Sequence, residues 1–135
     1  KELTTKLDLE QEVVFTGQLD KQSLLQFYEK SNIYLQGSSY EGLPHVILEA
    51  ISHNLSIIST PIGGTNEVLI NGKNGWIWKL HNSFKPVNED LLNIIEEITN
   101  NMEKDTLMKK NATEHLHKLF DEEKNLDLYL EILRK

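Results

Sequence analysis

Two carboxylates, a glycine and a proline are packed into the stretch GSSYEGLPHVILEA, residues 37–50. Glu41 and Glu49 flank Gly42 and Pro44, with seven residues between the two acids. An ionised carboxylate only accepts hydrogen bonds, so it suits the paired O–H donors of a vicinal diol and repels a phosphate. The first amides of a helix do the opposite, because their N–H groups and the helix dipole favour an anion. Gly42 removes a side chain and lets a ligand reach the backbone. Pro44 fits the first turn of a helix, where its missing N–H costs nothing. The pattern therefore describes a cradle: amides on a phosphate, Glu41 on the loop at the rim, and Glu49 in the second helical turn on the polar side. Hydroxyls on both sides of a phosphate make a sugar–phosphate–ribose chain, that is, a nucleotide sugar.

Such a cradle needs elements to hold it. EVVFTG (12–17) is a β-branched run stopped by Gly17 and is predicted as a strand. Residues 20–31 follow as a helix, with Asp20 as its cap and Leu24, Leu25, Phe27 and Tyr28 at helical spacing. NIYLQ (32–36) is a second strand, residues 37–42 are loop, and the helix entered at Pro44 buries a face of Val46, Ile47, Ala50 and Ile51. LSIIST (55–60) has the continuous apolar core of a buried parallel strand. Residues 61–64 turn, and Thr65 caps a short helix over 65–70. Residues 71–75 turn again, and Trp76-Ile77-Trp78 is a fourth strand. After a loop with Pro86, helices are expected over about 87–101, 103–119 and 121–134. Alternating strands and helices define an α/β fold: a Rossmann-like parallel sheet of about four strands, flanked by helices, with a helical C-terminal part. Ligands of such sheets bind beyond the carboxyl ends of the strands, where residues 37–44 fall.

The bulk composition is compatible with this. The chain has 135 residues, 39% hydrophobic and 26% charged, enough for one domain with a core. A net charge of −7 argues against nucleic acid as the partner. With no cysteine there is no disulfide framework and no thiol chemistry. No apolar run approaches the roughly 20 residues of a membrane span. The polar opening KELTTKLDLEQ reads as the tail of a helix, so the chain is expected to be a piece of a longer protein, cut on its N-terminal side.

These residues together resemble the donor-binding domain of retaining glycosyltransferases of the GT-B fold, family 4, also called group 1. The resemblance runs in order through VVFTG, then LLQFYEKSNIYLQGSSYEGLPHVILEA, then SIISTPIGGTNEVLINGKNGWIW, with weaker support from FDEEKNLDLYLEIL. It implies that residues 1–135 are one N-terminally truncated donor-binding domain. It implies that Glu41 is the catalytic contact to the donor sugar, that Gly42, Leu43 and Pro44 offer backbone to sugar or phosphate, and that Glu49 binds ribose hydroxyls. Gly17, Gln18 and Leu19 would lie near the nucleobase. The implied partners are a nucleotide-diphosphate sugar, an N-terminal acceptor domain, and a glycan or lipid-linked acceptor in bacterial surface polysaccharide synthesis. The implied place is the cytoplasm, with peripheral attachment at the inner face of the membrane through other parts of the protein. No cofactor or metal is implied, and no Asp-x-Asp occurs in the chain. The family's Arg and Lys that meet the diphosphate are expected upstream of residue 1. The sequence departs from the family after the second acid, where Ser52-His53-Asn54-Leu55-Ser56 replaces Ala-Cys-Gly-x-Pro. Asn54 can stand for the glycine, because it tolerates the left-handed conformation.

Plainer readings compete. Glu41 and Glu49 also fit a solvated loop and a solvated helix face. His45, Glu49 and His53 are spaced by four but drift around the helix and lack a fourth ligand, so they are not expected to bind a metal. Gly63-Gly64 fits a tight turn as well as a ligand approach. Trp76 and Trp78 share a strand face and suit packing better than sugar stacking, and His115 and His117 are expected at the surface. The rival functions are a non-catalytic nucleotide-sugar binding module, an α/β protein-interaction domain, and a GT-B relative such as a nucleotide-sugar epimerase.

Overall fold

The computed structural model describes residues 1–38, 45–80 and 88–121. The chain divides into two units, Lys1–Lys30 and Ser31–Lys135.

The first unit holds helices α1 (Glu2–Lys6) and α2 (Lys21–Lys30). Helix α1 matches the helical opening expected from the sequence. Helix α2 begins where Asp20 stops it from running further back: the Asp20 carboxylate accepts from the Ser23 amide at 2.7 Å. That bond holds the Asp20 carboxyl below its ordinary range. Residues 12–17 do not form the expected strand. A strand exists only through a neighbouring ladder, and the described part of this unit offers none. Val14 and Phe15 are 75% and 50% exposed, and the Lys1 ammonium lies 5.8 Å from the centre of the Phe15 ring.

The second unit is built on a parallel sheet of three strands in the order β1 (Ile33–Gln36), β2 (Ser56–Ser59), β3 (Trp76–Ile77). The described sheet thus has three strands, where about four are expected, because residues 12–17 form no strand. Central β2 is buried at all four positions, which is why its sequence has no polar alternation. Ile33 pairs with Ser56 and Gln36 with Ser59, so β1 and β2 end level at the carboxyl edge. Strand β3 enters opposite Ile58.

Helix α3 (His45–Ser52) crosses between β1 and β2. Its buried residues are Ile47, Ala50 and Ile51. Val46, expected with them, is 37% exposed, since it sits at the margin of that stripe on a 3.6-residue helix. The helix ends as the sequence anticipates. Asn54 takes φ +59°, its amide donates to Ile51 O at 2.9 Å, and the Leu55 amide donates to Ala50 O at 3.1 Å. That pair of bonds is a Schellman end, which requires a residue comfortable in the left-handed region.

Helix α4 (Thr65–Val68) is capped by Gly64, not by Thr65. Thr65 lies inside the first turn, 1% exposed, and its hydroxyl has no hydrogen-bond partner. Burial of the threonine methyl has won over capping. The 71–75 turn is organised by buried Asn74, which accepts from the Ile70 amide at 2.6 Å and donates to Val68 O at 3.0 Å. Gly75 is required by close approach: a Cβ there would meet Leu69 Cδ2 at 2.9 Å and Ile57 O at 3.3 Å.

Helices α5 (Asn88–Asn100) and α6 (Met102–Leu119) close the core of Ile58, Trp76, Trp78, Ile94, Ile98 and Met108. Both tryptophans are packing residues, as their shared strand face implies. Asn101 caps α6 by accepting from the Lys104 amide at 3.0 Å. Glu97 of α5 takes Lys104 of α6 in an ion pair and accepts from Trp76 Nε1 at 3.3 Å. The Lys104 contact, more than the Trp76 bond, holds the Glu97 carboxyl below its ordinary range. The expected Pro86 loop and the 121–134 helix lie outside the described residues, save Asp121.

Candidate functional site

Within the second unit the structure describes one of the expected site residues, Glu49, on the helix that follows β1. The chain leaves β1 through Gly37 and Ser38 and re-enters the described structure as α3 at His45. Helix α3 has no acidic residue in its first turn, so no side chain there offsets the positive end of its dipole. Glu49 is exposed in its second turn. The buried stripe of Ile47, Ala50 and Ile51 lies on the other side of the helix from Glu49. His53, expected only as a weak metal candidate, turns back on its own helix, with Nδ1 2.9 Å from the Glu49 carbonyl oxygen. No group of three or more metal-ligating side chains occurs among the described residues.

Glu41, Gly42, Leu43 and Pro44 lie outside the described residues. Gly17, Gln18 and Leu19 belong to the 1–30 unit. Gly17 has φ +64°, Gln18 is exposed and Leu19 is half-buried. A positive φ at Gly17 is what a run-stopping glycine supplies.

Sequence reading missed the polar residues below the rim. Thr60 is 1% exposed and donates through Oγ1 to Ser38 O at 2.7 Å. Its amide donates to Gln36 O at 3.1 Å. Gln36 is 6% exposed, and its Nε2 donates to Ser38 Oγ at 3.2 Å. The available sign was a glutamine closing the run IYLQ and a threonine closing the run SIIST. A separate cavity of about 210 Å³ opens between the 71–75 turn and α6, lined by Lys73, Asn111, Glu114, His115 and Lys118 among others. It contains none of the sequence-derived site residues. His115 there is half-buried rather than at the open surface, with Nε2 3.4 Å from Glu67 O, while His117 is exposed as expected.

In an open parallel α/β sheet, ligands bind beyond the carboxyl ends of the strands, the end at which α3 begins. The comparisons are specific. The chain belongs to the GT-B glycosyl transferases of group 1, whose family model, "Glycosyl transferases group 1", matches residues 1–115. A protein of Methanocaldococcus jannaschii named as an uncharacterized glycosyltransferase is 30% identical over 125 residues, covering 91% of this chain and 30% of that protein. The Vi polysaccharide biosynthesis protein VipC/TviE of Salmonella typhi is 45% identical over 49 residues, covering 36% of this chain and 8% of that protein. Among solved structures, Anabaena Alr3699/HepE in complex with UDP superposes with a TM-score of 0.79 at 23% identity. The superposition covers 98% of this chain and 35% of that one, and at that identity it speaks for the fold. The chain therefore spans no more than 30% of the length of either of the two sequence relatives. No helix among the described residues is long and apolar enough to cross a membrane.

Proposed function

We propose that this chain is the donor-binding half of a retaining, family 4 glycosyltransferase that takes a nucleotide-diphosphate sugar. The observation that carries the reading is helix α3 at the carboxyl edge of the parallel sheet, with Glu49 exposed in its second turn and no acid in its first turn. The Anabaena relative has been solved with UDP and with UDP-glucose, which supports a nucleotide-sugar donor here as well. In this reading the amides at the start of α3 take the diphosphate, Glu49 accepts from the ribose hydroxyls, and Glu41 accepts from hydroxyls of the sugar. Gly42, Leu43 and Pro44 bring backbone to the same sugar, and Gly17, Gln18 and Leu19 border the base. The sugar's anomeric carbon exchanges its bond to the diphosphate oxygen for one to an acceptor oxygen, with configuration kept. The reaction needs the acceptor domain and cationic groups from the rest of the protein, so the 135-residue chain alone turns nothing over. The similarity to the Vi polysaccharide protein supports surface polysaccharide synthesis as the setting, on the cytoplasmic side of the membrane.

The test is steady-state kinetics of the full-length protein with donor varied. Ribose contacts are alike in ground and transition states, so Glu49→Ala raises the donor KM by about 10- to 150-fold, the loss of a charged hydrogen bond. Contacts to the reacting sugar strengthen as its bond breaks, so Glu41→Ala lowers kcat instead. An intact kcat in Glu41→Ala, together with an unchanged donor KM in Glu49→Ala, contradicts the assignment.

A further inference from the structure

The donor reading makes no use of the cavity of about 210 Å³ between the 71–75 turn and α6. That turn runs into β3, so it lies at the amino end of the sheet, away from the carboxyl edge where α3 begins. One wall is a single face of α6, because Asn111, Glu114, His115 and Lys118 recur at steps of three and four residues. The facing wall carries Ile70 and Lys73. The two walls are joined: Asn111 Nδ2 donates to Lys73 O at 2.9 Å, and the Lys73 amide donates to Ile70 O at 3.0 Å. The chain has 14 basic residues against 21 acidic ones, yet two lysines and a histidine converge here. Neither Lys73 nor Lys118 forms an ion pair among the described residues. The acid in the lining, Glu114, has Lys110 3.9 Å away to offset it. The dipole of α6 accounts for Lys118 in the last turn of that helix, but not for Lys73, which comes from the other wall. Two ammonium groups on one cavity repel each other unless an anion lies between them.

We propose that this cavity is an anion site that takes a phosphate group, free or at the end of a small phosphomonoester, between Lys73 and Lys118. Its volume is below the roughly 300–1,000 Å³ of sites for drug-sized ligands, so the occupant is small. Each lysine brings three N–H donors and no acceptor. A phosphate group brings three strong acceptor oxygens, which donors on both walls can meet at once, where a planar carboxylate has two. Hydrogen bonds between ionised partners are about twice as strong as neutral ones. The site does not depend on the roles given to α3 and Glu49.

The experiment is calorimetric titration of the full-length protein with inorganic phosphate and, separately, with glycerol 3-phosphate. Ionic strength is held low and constant, because salt screens exposed charges. Saturable binding is expected, with Kd raised at least about tenfold in Lys73→Gln/Lys118→Gln through loss of hydrogen bonds to a charged group. Lys6→Gln/Lys30→Gln removes the same charge from exposed positions of the 1–30 unit and leaves Kd unchanged. Glu114→Gln removes the opposing charge and tightens binding by about two- to fivefold, the worth of one exposed charge pair. Tighter binding of the ester assigns an organic phosphate, and tighter binding of inorganic phosphate assigns the free ion. Should Lys73→Gln/Lys118→Gln fail to fold, Glu114→Gln is read in its place, and binding that it leaves unchanged or weakens overturns the inference. No saturable binding of either probe at millimolar concentration also overturns it. So does an unchanged Kd in Lys73→Gln/Lys118→Gln, since the phosphate is then bound elsewhere. An equal loss in Lys6→Gln/Lys30→Gln overturns it as well, because the effect is then one of overall charge.

Discussion

Replacing Asp105 by alanine tests what joins the C-terminal helices to the sheet. Asp105 lies on α6 and is 9% exposed. Its carboxylate accepts from Ser56 Oγ on central β2 at 2.5 Å and from Lys109 Nζ at 2.8 Å. Ser56 is 1% exposed, so Asp105→Ala strands a buried hydroxyl, at about 1–3 kcal/mol. It also strands the Lys109 ammonium, whose side chain is 18% exposed. Breaking a fully buried pair costs about 3–5 kcal/mol, and the partial exposure here places the pair below that range. The sum is about 3 kcal/mol, which in a domain of this size lowers Tm by roughly 10 °C. Ser56→Ala costs only about 1 kcal/mol, because the carboxylate keeps Lys109. Denaturant titration of the four corners of the Ser56/Asp105 cycle should give a coupling of about 1 kcal/mol or more. An Asp105→Ala protein within about 0.5 kcal/mol of wild type, the range of ordinary surface substitutions, would refute the reasoning. Helix α6 would then be held to β2 by the apolar core alone.

Thr65→Val removes a buried hydroxyl that has no partner, so thermal unfolding should show it equal to wild type or up to about 1 kcal/mol more stable; a clear loss would mean the hydroxyl has a partner in the full-length protein. Glu97 has a folded pKa below its unfolded value, so its contribution is fully present above the unfolded value of about 4.3 and lost as pH falls through the lower folded one. The gap in stability between wild type and Glu97→Gln should therefore close on acidification below about pH 4, measured by urea titration, and a gap that widens contradicts the ion pair. The full-length enzyme should keep its transfer rate in EDTA, because the proposed cradle binds phosphate through amides; loss of rate restored by Mg²⁺ or Mn²⁺ contradicts this.

Elements were legible in the sequence where local chemistry decides them. Asn54 was readable as a helix end because only a few residues tolerate its φ, and β2 was readable from the apolar pair Ile57-Ile58 at its centre. Residues 12–17 have the composition of a strand, yet strand formation depends on a partner that composition does not encode. Thr65 and Val46 were misplaced by the same cause: a threonine can cap or pack, and a helix can rotate by part of a turn, and tertiary burial makes both choices. The exposed Glu49 was legible from helical periodicity. Thr60 was not, because its contact to Ser38 spans 22 residues and depends on two parallel strands ending level.

A nucleotide-diphosphate sugar held through the helix that carries Glu49 should stabilise the fold when it binds. Thermal unfolding of the full-length protein across a panel of nucleoside diphosphates and their sugars tests it most directly. Saturable stabilisation by at least one member is expected, worth about 2.7 kcal/mol at a hundredfold excess over Kd, with Glu49→Ala requiring about 10- to 150-fold more ligand for the same shift. No shift with any nucleotide at millimolar concentration, or a shift that Glu49→Ala leaves unchanged, would contradict it.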